Sequence, residues 1–111
     1  MSLAKKSLGQ NFLTDKNIIK KIINLVNIKD KDVIEIGPGR GALTDEILKK
    51  KPKSLILIEK DYKLFESLRN KFLDNKNIKI FNADILKFNL EKTINFKKSI
   101  IFGNLPYNIS S

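Results

Sequence analysis

"DVIEIGPGRGALTDEILKK", residues 32–50, decides the fold. It reads as a short apolar strand, a glycine-rich turn, and an amphipathic helix carried by Ala42, Leu43, Ile47 and Leu48. Gly37, Gly39 and Gly41 fall in the turn, where a backbone without Cβ atoms can reverse tightly and approach a ligand closely. Their spacing is GxGxG, so the GxGxxG dinucleotide fingerprint is not met, and the chain has no GxxxxGK[ST] phosphate loop. Taken alone, the turn is weak evidence, since a plain structural corner can carry the same glycines. The surrounding elements have to decide.

Upstream, "TDKNIIKKIINLV" (14–26) reads as a helix that Thr14 or Asp15 can cap, with Ile18, Ile19, Ile22, Ile23 and Val26 at helical spacing. Downstream, "SLILIEKD" (54–61) is a near-continuous apolar run, the pattern of a strand buried on both faces. "YKLFESLRNKFL" (62–73) is helical, with Leu64, Phe65, Leu68 and Phe72 on one stripe. "IKIFNAD" (78–84) and "SIIFGN" (99–104) supply two more strands, separated by a weakly patterned connection over 85–97. Strands alternating with helices predict an α/β fold with a parallel sheet and right-handed crossovers. The first two crossovers lay strands to one side of the first strand, and the long connection carries the fourth to its other side. The order expected is 3-2-1-4. That reversal makes a topological switch point, where ligands bind outside the carboxyl ends of the strands. Gly37, Glu59, Asp84 and Asn104, from four separate segments, all fall at those ends.

The 111 residues allow one small domain. With no cysteine and no histidine, disulfides, thiolate metal sites and zinc cages are excluded, and no metal is expected. No apolar run is long enough to span a membrane, and the N-terminus lacks the apolar core of a signal peptide. The expectation is a cytoplasmic monomer. Lys and Arg outnumber Asp and Glu by 22 to 12, a net charge of +10 that suits a polyanion such as nucleic acid. Compositional drift toward Lys, Asn and Ile would read the same way.

The motifs narrow the chemistry. Glu59 ends the second strand 22 positions after Gly37, the separation at which an acid accepts hydrogen bonds from ribose hydroxyls. A nicotinamide dinucleotide and S-adenosylmethionine both carry such a sugar. Glu35, just before the turn, would repel a pyrophosphate but suits the ammonium and sulfonium of S-adenosylmethionine. Asp84 could accept the exocyclic amine of the cofactor's adenine, or simply open a turn. At the end of the chain, "GNLPY" (103–107) offers the Asn104 side-chain oxygen and the Leu105 carbonyl as acceptors for the two hydrogens of an adenine amine. Such acceptors stabilise the positive charge that develops as that poorly nucleophilic nitrogen attacks. Pro106 stiffens the loop, and Tyr107 supplies a face on which an extruded base can stack.

Together, "SLGQNFL", "EIGPGRGALT", "LIEKD", "NADIL" and "FGNLPYNIS", taken in order from about Ala4 to Ser111, resemble the KsgA-type ribosomal RNA adenine N6,N6-dimethyltransferases. The resemblance implies a Rossmann-like, S-adenosylmethionine-dependent methyltransferase fold. It implies that residues 1–13 form a basic lead in which Asn11 and Leu13 cover the methionine end of the cofactor, and that 14–111 begin the methyltransferase domain. Gly37 is then expected to line the cofactor, Glu59 to hold its ribose, Asp84 its adenine amine, and Asn104 to lie beside the transferred methyl. The implied substrate is a pair of adjacent adenosines near the 3′ end of small-subunit ribosomal RNA, within the pre-ribosomal small subunit. Pro38, "GALT" and Leu105 resemble the small-subunit branch more than the 23S-type macrolide-resistance branch. A basic RNA-binding module without catalysis is the reading from another class. Family members continue into further strands and a helical RNA-binding domain, so this chain is expected to be the N-terminal part and inactive by itself.

Overall fold

The computed structural model describes residues 16–87 and 98–103. Within them α1 (Lys16–Asn24) leads into β1 (Asp32–Ile36), α2 (Ala42–Lys49), β2 (Ser54–Glu59), α3 (Tyr62–Lys71), β3 (Ile78–Asn82) and β4 (Ile100–Gly103). All pairings are parallel and the order is β3-β2-β1-β4, the expected order and one compatible with right-handed crossovers. β1 pairs with β2 on one side (Val33 opposite Leu55) and with β4 on the other (Val33 opposite Ile100). The switch point therefore lies between β1 and β4.

Side chains alternate across each strand. Val33, Leu55 and Leu57 point to the face covered by all three helices, where Ile19 and Ile23 of α1, Leu43 and Ile47 of α2, and Leu68 of α3 close the core with Ile28. Ile34, Ile56 and Ile58 form a second buried layer on the opposite face, with Ile36 and Phe81 packed beside them. Burying a side chain of this size stabilises the fold by about 1.5–3 kcal/mol, which is why helices of modest length hold on this sheet. The same alternation carries the two buried glutamates among the described residues. Glu35 follows Val33, and Glu59 follows Leu57, each at the last helix-facing position of its strand.

Two details differ from the sequence pattern. The apolar spacing extends the first helix to Val26, but α1 ends at Asn24, and Leu25 (81%) and Val26 (40%) are exposed. The chain turns here, with Leu25 N–H donating to Ile22 C=O at 3.1 Å, so that Ile28 rather than Val26 enters the core. The third helix is capped by a residue the pattern placed in the preceding strand: Asp61 accepts from Leu64 N–H at 3.0 Å. Thr14 and Asp15, proposed as caps for α1, lie outside the described residues, as do residues 88–97 of the weakly patterned connection. Among the described residues no helix is long and apolar enough to cross a membrane, and no group of three candidate metal ligands is found.

Candidate active site

The turn after β1 is built on positive φ. Gly37 (φ 70°), Gly39 (φ 59°) and Gly41 (φ 88°) all occupy the left-handed region. Gly37 N–H continues the ladder to Ile58 C=O at 2.9 Å, and Gly41 N–H closes the turn on Pro38 C=O at 2.9 Å before starting α2. A Cβ on Gly39 would meet nothing within 4 Å, so its glycine is demanded by backbone angle alone and leaves open space above the turn. At Gly41 a Cβ would come within 3.2 Å of Lys71 Nζ and 3.4 Å of Leu68 Cδ2. That lysine, on α3, donates to Arg40 C=O at 3.3 Å and pairs with Asp45 of α2 at 2.9 Å. The turn is thus held from the neighbouring helix as well as from below.

Glu59 holds it from the sheet. Its Oε1 accepts from Gly39 N–H at 3.0 Å and its Oε2 from Asp61 N–H at 2.9 Å, and the residue is only 6% exposed. A carboxylate can accept about four hydrogen bonds, so each oxygen, already fixed in direction, retains a lone pair for a ligand's hydroxyl. Asn82, at the end of β3, steadies the same corner by donating to Glu59 C=O at 3.0 Å and Lys60 C=O at 3.1 Å. Sequence reasoning singled out Glu59 but missed Asn82, whose signal was its position opposite Glu59 in the register.

Glu35 is fully buried beneath the turn, between β1 and the first turn of α2. Its Oε1 accepts from the Thr44 hydroxyl at 2.5 Å, while Oε2 has no partner among the described residues. Burial raises its pKa to about 7, against the lowering effect of the Thr44 bond and with smaller raising contributions from Asp45 and Glu59. An unpartnered buried carboxyl at this point disfavours an anion and would be stabilised in its charged form by a cation. Thr44 was read only as part of the helix; a hydroxyl on the buried side of an amphipathic helix, nine positions after a strand acid, was the available signal.

Asp84 lies two residues beyond β3 and does open a turn, its Oδ1 accepting from Leu86 N–H at 3.0 Å. Its Oδ2 stands 3.8 Å from Lys60 Nζ across the corner shared with Glu59. The structure therefore brings Gly37, Glu59 and Asp84 to the carboxyl ends of three adjacent strands. Asn11, Leu13, Asn104, Leu105, Pro106 and Tyr107 lie outside the described residues; β4 ends at Gly103, immediately before the last four.

Gly37, Glu59 and Asp84 thus gather at one end of a parallel sheet, and the comparisons identify the lineage. The family model described as ribosomal RNA adenine dimethylase matches residues 1–111. The chain belongs to this family. It is 56% identical over 108 residues to the ribosomal RNA small subunit methyltransferase A of Pelagibacter ubique, covering 97% of this chain and 40% of the relative. It is likewise 56% identical over 109 residues to the protein of the same name from Wigglesworthia glossinidia brevipalpis, covering 95% of this chain and 41% of that one. The chain thus spans about two fifths of the length of these curated relatives. Among solved structures, a dimethyladenosine transferase from Plasmodium falciparum superposes with a TM-score of 0.70 at 29% identity, over 86% of this chain and 34% of that one. The 23S rRNA methyltransferase ErmE gives 0.59 at 33% identity, over 67% of this chain and 30% of that one. The fold expected from the sequence, an α/β methyltransferase sheet of order 3-2-1-4, is the fold of this family member.

Proposed function

We propose that the protein uses S-adenosylmethionine to dimethylate the N6 positions of two adjacent adenosines near the 3′ end of small-subunit ribosomal RNA. One observation carries the cofactor half of the reading. The Glu59 carboxylate is held at the switch-point end of the sheet by Gly39 and Asp61 N–H groups, with lone pairs left for ribose hydroxyls. Membership of the adenine dimethylase family and the names of the small-subunit relatives support the substrate half.

The residues fit the cofactor by their chemistry. The unpartnered, buried Glu35 oxygen favours a ligand whose end near the glycine turn is cationic rather than a pyrophosphate. When bound, S-adenosylmethionine supplies an electrophilic methyl on sulfur. In this reading Gly37 lines the crevice, Glu59 orients the ribose, Asp84 accepts the adenine amine, and Asn11 and Leu13 of the lead 1–13 cover the methionine end. Asn104 and the Leu105 carbonyl accept the hydrogens of the target amine, Pro106 fixes their direction, and Tyr107 stacks on the base. Little general-base strength is needed, because holding the nitrogen in line accounts for most of the rate. The protein acts as a monomer in the cytoplasm.

The test is methyl transfer to unmethylated small ribosomal subunits by the protein expressed from its own gene. Asn104→Ala is expected to lower kcat by about 10²–10³, the loss typical of one acceptor or donor aimed at developing charge, while cofactor affinity changes little. Equal losses in both would reduce Asn104 to a cofactor contact. No transfer by the gene's full-length product would overturn the reading.

A further inference from the structure

The amino ends of the strands form the opposite pole of the sheet, and their charge is unlike that of the crevice. Each connection that feeds a strand there carries lysine: Lys29 and Lys31 before β1; Lys50, Lys51 and Lys53 before β2; Lys76 before β3; and Lys98 before β4. With Lys79 inside β3, residues 29–32, 50–54, 74–79 and 98–99 hold eight lysines against three aspartates, a net of +5. All eight lysines are exposed. At the carboxyl ends, residues 35–41, 59–61 and 83–87 hold Arg40, Lys60 and Lys87 against Glu35, Glu59, Asp61 and Asp84, a net of −1 with every group charged.

The lysine loops are fastened to one another. Asp30 N–H donates to Lys51 C=O at 3.0 Å, Lys53 N–H to Lys31 C=O at 2.8 Å, and Leu55 N–H to Asn77 C=O at 2.9 Å. Between them lies a groove of about 320 Å³ whose polar lining includes Lys53, Lys76, Lys79, Ser54 and Asn77. Asp32 also lines the groove, its carboxylate accepting from the Ser54 hydroxyl at 2.6 Å, and Lys53, Lys76 and Lys79 form no ion pair among the described residues. Complementing helix C-termini accounts for Lys49 and Lys50 at the end of α2, since that field fades within the last turn. It does not account for lysines placed beside the strands. Four strands set the width of the surface at about 15 Å, given a strand spacing of about 4.8 Å, enough to meet several phosphates. Lysine without arginine supplies point charges rather than forked, base-reading geometry, and so suits backbone phosphates.

We infer that this lysine-lined amino pole is a second RNA-binding surface, one that grips backbone phosphates of the substrate RNA away from the adenosines at the crevice. The inference rests on the proposed action on ribosomal RNA, and it extends the footprint to both ends of strands about 17–20 Å long.

The experiment compares two double variants of the protein expressed from its own gene, Lys53→Gln with Lys76→Gln and Lys20→Gln with Lys21→Gln. Each removes two exposed lysines, the second pair from α1. Binding to in vitro transcribed small-subunit ribosomal RNA is measured from low to moderate salt, beside S-adenosylmethionine binding and methyl transfer. The expected result is a salt slope shallower by about 1.5 for Lys53→Gln/Lys76→Gln, since each lost phosphate contact removes about 0.7–0.9. The α1 pair should leave the slope unchanged, and cofactor affinity should be unchanged in both. Equal slopes for the two variants, whether both shallower or both unaltered, would overturn the inference. So would a loss seen with intact subunits but absent with naked RNA, which would assign the surface to a protein partner. Lysine-dependent RNA binding without methyl transfer by the unaltered protein would sink the proposed function and leave the surface standing.

Discussion

The two poles of one sheet solve the same backbone problem differently. Both need left-handed residues to turn the chain between strand and helix. At the carboxyl pole those positions are Gly37, Gly39 and Gly41; at the amino pole they are Asp30 (φ 61°) and Lys51 (φ 56°). A turn that only has to turn tolerates a side chain. On the proposed reading, a turn over which the cofactor lies close to the backbone does not, and the open space above Gly39 is where that would count. The carboxyl pole also buries two carboxylates at positions that packing would fill with leucine, whereas the amino pole keeps its lysines in water and buries Asp32 only in part. Stability is surrendered at the carboxyl pole, where two carboxylates are buried, and conserved at the amino pole, whose lysines stay in water.

The largest expected effect comes from Glu35. Folded, its carboxyl holds a proton up to about pH 7, against an ordinary value of 4.5. Between those values the folded chain binds more protons than the unfolded chain, so stability falls as pH rises through the window. At about 1.4 kcal/mol per unit the total is roughly 3 kcal/mol. Urea unfolding followed from pH 4.5 to 8 should show that decline, and Glu35→Gln should flatten it. A flat profile in the unaltered protein would mean that the buried acid at this pole is not destabilising.

Gly41→Ala comes next. A non-glycine residue in the left-handed region costs about 1–2 kcal/mol, and here the new methyl would also crowd Lys71 Nζ at 3.2 Å, so that the lysine holding Arg40 C=O and Asp45 has to shift slightly. Chemical denaturation should register the loss, and calorimetry should show cofactor affinity falling with it. The smallest effect is expected at the other pole. Lys51 donates its N–H to Leu48 C=O just past α2, a position that favours glycine. Lys51→Gly should raise stability by up to about 1 kcal/mol with cofactor affinity unaltered. If the two substitutions act alike, the poles do not differ in the way described.

Much of this contrast was legible before any coordinates. Alternating strands and helices pointed to a parallel sheet, the long connection after β3 allowed the fourth strand to reach the other side of β1, and Glu59 could be placed from its distance to the glycine turn. The hydrogen bond from Gly39 to Glu59 was not legible, because it depends on where the turn folds over the end of the neighbouring strand. Nor was the protonation of Glu35, which follows from the depth of its burial under α2. Val26 fitted the helical spacing and still lies outside the helix, because local period cannot say which of Val26 and Ile28 the sheet will cover. Asp84 satisfied two readings at once, and its turn is the one observed in the fold.

Calorimetric titration of S-adenosylmethionine into the unaltered protein and into Glu59→Ala tests the central claim most directly, that the carboxyl pole is a cofactor crevice organised by Glu59. Hydrogen bonds to a charged acceptor contribute about 1.5–3 kcal/mol, so Glu59→Ala should bind roughly ten- to a hundredfold more weakly. Glu59→Gln, which keeps one acceptor oxygen, should fall between. Equal affinity for all three proteins would contradict the account.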